Sequence, residues 1–303
     1  MSTNLHRIRM ALTGISGILV APYDDAGELA PDRLAPIIDR AIGAGVDILV
    51  ANGNTGEFYA LDEAESRLFT EKSVQLVDGR VPVFAGIGRG IREATRAAAH
   101  AKTAGADALM IHQTPDPFVA PRGYEDYVKR VVEAGDGLPA MLYLRNDAIG
   151  TEAIARLTAI EGVAGVKWAT PNPMNLARAI AASSPDVIWV GGLAEVWAPP
   201  LCAVGARGFT SGLINVWPQR SVAIRDALNA MDYQQAGALI EGMRLFEDIR
   251  AEEMGGTNVT GVKTALALQG LDCGAVRPPG AWPLTGAQAA ALYAFMQDNG
   301  LLA

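Results

Sequence analysis

Cysteine is nearly missing from this 303-residue chain. Cys202 and Cys273 lie far apart, and neither has a second cysteine or a histidine at metal-ligand spacing. That excludes a disulfide framework and a zinc site as organising features. Histidine is scarce too: His6, His100 and His112 are scattered, so no metal centre is expected. Basic blocks are absent and the net charge is -8. A chain with nothing to neutralise phosphates is expected to bind neither nucleic acid nor an anionic membrane. No uninterrupted apolar run reaches the length needed to span a bilayer. The N-terminus shows no long apolar segment ending in a small-residue cleavage site, so no signal peptide is read and the expected location is the cytoplasm.

Lysine is the last scarcity. There are five, against twenty arginines, and one stands in an unusual place. Lys167 interrupts Val163-Ala164-Gly165-Val166-Lys167-Trp168-Ala169, a short apolar run that reads as a buried strand. A lysine there must be paired, solvated by a cavity or made neutral. A neutral lysine is a nucleophile that forms imines with carbonyl compounds. The competing reading is a strand-end lysine reaching water or a structural ion pair.

What the chain has in quantity is alternation. Strand-like runs at Ile15–Val20, Ile48–Ala51, Val83–Gly86, Ala108–Ile111, Ala140–Tyr143, Gly165–Trp168, Ile188–Gly191 and Gly208–Ser211 alternate with helical patterns such as Pro31–Ala44, Asp62–Val77, Ile91–Ala104 and Leu176–Ala182. Eight strand–helix units predict an α/β fold, a closed (β/α)8 TIM barrel of parallel strands with right-handed crossovers. The barrel is expected to fill residues 1–229. Residues 230–303 are expected to form a helical extension, with helices at Tyr233–Met254, Val262–Gln269 and Thr285–Gln297. In the first of these Ala236, Leu239, Ile240, Met243, Phe246 and Ile249 make one apolar stripe. Arg277-Pro278-Pro279 and Trp282-Pro283 mark a stiff connector before the last helix.

In such a barrel chemistry collects where the strands end. Gly53-Asn54-Thr55-Gly56-Glu57 follows the second strand, and its backbone N–H groups with the Thr55 hydroxyl suit an anion such as a keto-acid carboxylate. An ordinary strand-to-helix turn is the alternative, and Glu57 reads as a helix-start anchor. Gly86-Ile87-Gly88-Arg89-Gly90 lacks the third glycine of a dinucleotide fingerprint and reads as a tight turn. His112 reads as a hydrogen-bonded loop residue. Tyr143 is placed either to move protons beside Lys167 or to fill the core. Arg145 suits a second carboxylate or a surface ion pair. Gly191-Gly192 and Ser211-Gly212 close the seventh and eighth strands.

These pieces, in this order, resemble the dihydrodipicolinate synthase and N-acetylneuraminate lyase family. The motifs are Gly53–Glu57, Tyr143, Gly165-Val166-Lys167, Gly208-Phe209-Thr210-Ser211 with Asn215 and Pro218, and Arg277-Pro278-Pro279. The likeness runs from about Thr13 to Gln297. It implies a lyase without metal or organic cofactor, a homo-oligomer (tetramer or dimer) whose partner is a small 2-keto acid. Lys167 and Tyr143 are then catalytic, and Asn54, Thr55, Gly56, Arg145, Gly192 and Ser211 bind substrate. Asn54 stands where dihydrodipicolinate synthase has the first of two hydroxyl residues. Thr114-Pro115-Asp116-Pro117-Phe118 lacks that enzyme's tyrosine, and Ala148 stands near the place of its substrate arginine. Tyr143-Leu144-Arg145-Asn146 is closer to the 5-dehydro-4-deoxyglucarate dehydratase branch, although Lys167-Trp168-Ala169 lacks that branch's acidic residue after the lysine.

Overall fold

The computed structural model describes residues 3–280 and 282–303. Its eight strands form a closed barrel in sequence order: β1 (Ile15–Ile18), β2 (Ile48–Ala51), β3 (Val83–Ile87), β4 (Ala108–His112), β5 (Ala140–Leu144), β6 (Val163–Trp168), β7 (Ile188–Gly191) and β8 (Gly208–Ser211). A helix α1 (Thr3–Ala11) that the apolar pattern did not reveal precedes β1. The barrel helices are α2 (Ala35–Ala44), α3 (Glu63–Val77), α4 (Ile91–Ala104), α5 (Pro121–Ala134), α6 (Thr151–Thr158), α7 (Pro173–Ala182), α8 (Ala198–Ala203) and α9 (Pro218–Asn229). Strands β2 to β6 and β8 are buried at every position. That is why they read as continuous apolar runs rather than alternating ones.

The predicted helix at Tyr233–Met254 is two helices. α10 (Tyr233–Glu241) and α11 (Arg244–Gly255) are separated at Gly242-Met243, and Glu252, Glu253 and Met254 leave helical geometry at the end of α11. Periodicity missed the break because the apolar stripe carries through it: Ala236, Ile240, Met243, Phe246 and Ile249 are all buried. Two further helices follow, α12 (Asn258–Leu268) and α13 (Gly286–Asp298). Thr285 caps α13 and Asp62 caps α3, each through a reciprocal capping box that satisfies the first N–H groups.

Contacts group the chain into two compact units. The first runs to Ser16 and adds Asp47–Val50 and Val81–Thr210. In it two aspartates anchor strand starts: Asp47 accepts from the Ile15 N–H at 2.7 Å, and Asp107 accepts from the Val83 N–H at 2.8 Å while pairing with Arg7. The second comprises Gly17–Val46, Ala51–Arg80 and Ser211–Ala303. There Asn215, fully buried, accepts from the Val20 N–H and donates to the carbonyls of Ile18 and Gly212. No helix among the described residues is long and apolar enough to cross a membrane.

Candidate active site

The register of the first unit brings three polar side chains into one row. His112 on β4 pairs with Tyr143 on β5, and Tyr143 pairs with Lys167 on β6. Residues opposite one another in a parallel ladder point to the same face. The Lys167 Nζ accordingly lies 3.9 Å from the centre of the Tyr143 ring, whose centre is 5.3 Å from that of His112. His112 is therefore the last strand residue of β4, not a loop residue, and it is buried.

Lys167 is 3% exposed, and among the described residues it forms no ion pair. Burial removes the water that would stabilise an ammonium, and the Arg145 guanidinium adds like-charge repulsion. Together they push the Lys167 amine down to about 7 from 10.5. A substantial fraction is then the free base at neutral pH, so burial turns a cation into a nucleophile.

The backbone around the lysine is held closely. The Gly192 N–H donates to the Trp168 carbonyl at 2.7 Å, and a side chain at Gly192 would strike that oxygen. Gly165 is similarly constrained, since a Cβ there would meet the Ile188 carbonyl at 2.6 Å. Gly192 thus lets the end of β7 close on the end of β6. Arg145 is exposed just past β5. Its backbone is fixed by a residue the sequence reading missed: the buried Gln113 Oε1 accepts from the N–H groups of both Arg145 and Asn146 at 2.7 Å, and its Nε2 donates to the Asn146 carbonyl. A second polar residue directly after His112, at the end of an otherwise apolar strand, was the available sign. Glu195 was missed as well. It is fully buried and follows Ala194, whose φ of 57° is left-handed.

In the second unit, the loop after β2 folds as consecutive turns. Glu57 N–H donates to the Asn54 carbonyl and Phe58 N–H to the Gly53 carbonyl. The N–H groups of Thr55 and Gly56, between them, have no acceptor among the described residues. Both residues are buried, Asn54 is half-buried, and a side chain at Gly56 would meet the Leu19 carbonyl at 2.8 Å. Two adjacent donors in a buried loop are suited to a small anion. Glu57 is not a helix-start anchor: Asp62 and Glu65 do that work, and Glu57 instead forms a buried ion pair with Lys263. Ser211 is fully buried; its Oγ lies 3.1 Å from that of Ser221 and accepts from the Ile214 N–H. Its hydroxyl is thus engaged in the turn after β8. Among the described residues no group of three or more His, Cys, Asp or Glu is placed to share a metal ion.

A closed barrel with a buried lysine against a phenol ring suits a lyase that works through an amine. The model of the dihydrodipicolinate synthetase family matches residues 11–297, and the chain belongs to that family. It is 32% identical over 270 residues to a probable 5-dehydro-4-deoxyglucarate dehydratase 1 of Streptomyces avermitilis, covering 86% of this chain and 85% of that one. A probable 5-dehydro-4-deoxyglucarate dehydratase of Bacillus subtilis is 30% identical over 281 residues, covering 91% and 90%. Among solved structures, dihydrodipicolinate synthase from Bacillus clausii superposes with a TM-score of 0.93 at 32% identity, over 97% of this chain and all of that one.

Proposed function

We propose that Lys167 forms an imine with a 2-keto acid and that the imine drives cleavage of a C–O or C–C bond further along the substrate. The neutral amine attacks the keto carbon, the carbinolamine loses water, and Tyr143 relays the protons. Loss of a proton from the carbon next to the imine gives an enamine. For a C–O bond, the enamine electrons expel the hydroxyl one carbon further on as water; for a C–C bond, the proton is taken instead from that hydroxyl, the bond breaks with release of an aldehyde, and the enamine is what remains. Hydrolysis then returns the free lysine. The N–H groups of Thr55 and Gly56, with the Thr55 hydroxyl and Asn54, hold the substrate carboxylate. The observation that carries this reading is the Lys167 amine itself, buried with no ion-pair partner among the described residues, lowered to a pKa of about 7 and 3.9 Å from the Tyr143 ring centre.

Within that chemistry a sugar-derived diacid is the favoured substrate, 5-dehydro-4-deoxyglucarate in particular. Relatives carrying that dehydratase name support it, as does an exposed guanidinium close enough to repel the Lys167 charge and so able to meet a far carboxylate. The working form is a homo-oligomer, dimer or tetramer, in the cytoplasm. Borohydride reduction with pyruvate, 5-dehydro-4-deoxyglucarate and related acids should add the mass of the trapped acid less one oxygen to Lys167, and turnover should follow for one of them. A panel that labels nothing, or labels Lys167→Ala equally, removes the proposal. Thermal stabilisation by a keto acid without labelling would select a binding protein instead.

A further inference from the structure

Glu57 directly follows the two unspent N–H groups of the β2 loop, and it is a strained residue. Its φ is 53°, a left-handed value that costs a non-glycine residue about 1 kcal/mol or more. Something must hold it there, and three contacts do. Its Oε1 pairs with the Lys263 Nζ at 2.6 Å, its Oε2 accepts from the Arg277 N–H at 2.9 Å, and its own N–H closes the turn on Asn54. Lys263 comes from α12, and both members of the ion pair are 4% exposed. Lys263 also donates to the Ala275 carbonyl and stands 4.2 Å above the Tyr23 ring, while the Arg277 guanidinium lies 4.1 Å from the same ring. Arg277 in turn takes Glu65 in a two-pronged ion pair at 2.6 and 2.8 Å, tying the connector to the first turn of α3. The Glu57 carboxylate is thus fixed by charges that are themselves fixed. The peptide planes bearing the Thr55 and Gly56 N–H groups can turn little while it stays in place.

We propose that Lys263 is a positioning residue for the carboxylate cradle, acting through Glu57, so that a helix beyond the barrel sets the affinity for the keto acid. This rests on the imine reading above. It predicts a separation of readouts. Lys263→Met should raise the concentration of pyruvate that half-saturates borohydride labelling by tenfold or more; 5-dehydro-4-deoxyglucarate serves as the probe if pyruvate does not label. The pH at which labelling is half-maximal should stay where Lys167 puts it, and labelling at saturation should remain. The double variant Glu57→Gln with Lys263→Met, which leaves no unpaired charge, should stay folded but not recover affinity, because neither neutral side chain restores the ionic tie. A folded Lys263→Met protein with unchanged half-saturation overturns the inference and leaves the imine reading intact. If Lys263→Met does not fold, Glu57→Gln, which keeps an acceptor for the Arg277 N–H, carries the same expectation and the same overturning result. A wild-type protein that no keto acid labels overturns both.

Discussion

Two lysines are buried to nearly the same depth in this protein, and their surroundings give them opposite chemistry. Lys263 meets the Glu57 carboxylate at 2.6 Å, a carbonyl and an aromatic face. Its proton affinity is lowered by burial, but Glu57 opposes that by attraction and hydrogen bonding. Lys167 has an aromatic face too, yet the charge that acts on it is the like-signed Arg145. Burial with a counter-charge makes a structural ion pair; burial without one makes a reactive amine. On the proposed chemistry, the presence or absence of a single carboxylate separates a fastener from a nucleophile.

The largest effect expected from breaking the contrast is on turnover. Lys167→Met should abolish keto-acid labelling and lower kcat by about 10^4-fold or more, because no other group stands in for the nucleophile. Tyr143→Phe comes next. It keeps the ring beside the amine and deletes only the hydroxyl, so kcat should fall by roughly 10^2- to 10^4-fold. The pH midpoint of labelling should stay near 7, since burial and Arg145 are untouched. Stopped-flow labelling across pH 5 to 10 separates the two quantities. A midpoint that moves with the hydroxyl would assign Tyr143 a part in setting the lysine rather than in relaying protons.

Stability should respond with opposite signs at the two lysines. Lys263→Met leaves a buried carboxylate unpaired and should destabilise the fold by about 3–5 kcal/mol. Lys167→Met removes a group whose charge the fold penalises. The folded state holds that proton less tightly than the unfolded chain, about 7 against 10.5. Between those values the unfolded state binds more protons, so stability rises with pH across the window. The penalty is therefore full below pH 7, where it amounts to about 5 kcal/mol at the outside, and it fades toward pH 10.5. Thermal melting at pH 6 should show Lys167→Met above wild type by several degrees and the gap closing by pH 10. A Lys167→Met protein that melts lower at pH 6 would mean that the amine is solvated or paired after all.

The sequence carried the first lysine far more plainly than the second. Eight apolar runs in alternation predict the barrel, and a lysine inside one of them is conspicuous because the strand is buried on both faces. Tyr143 was placed with it because both close neighbouring strands, and the register pairs them. Lys263 lay unnoticed in Val262-Lys263-Thr264, where a helix offers solvent as an easy alternative, and its partner is 206 positions away in Glu57. No local pattern encodes such a meeting. Gln113 escaped for a related reason: its acceptor serves backbone N–H groups of another strand's exit, which every residue type but proline possesses. The break between α10 and α11 was hidden because the apolar stripe resumes in phase on the far side.

The smallest effect sharpens the comparison most finely, because it alters the charge near Lys167 without touching the lysine. Arg145 contributes after burial to the lowered pKa, so Arg145→Met should move the labelling midpoint upward, toward but well short of 10.5. Gln113 binds the backbone N–H of residue 145 rather than its side chain, so the β5 exit should keep its shape in the variant. If the guanidinium also meets a far carboxylate, the same substitution should raise KM for a diacid such as 5-dehydro-4-deoxyglucarate by roughly tenfold, the value of one partly exposed charge-assisted contact. Half-saturation by the monoacid pyruvate should change little once both are compared above their midpoints. Equal losses for monoacid and diacid would confine Arg145 to tuning the amine, and the far end of the substrate would then have to be recognised elsewhere.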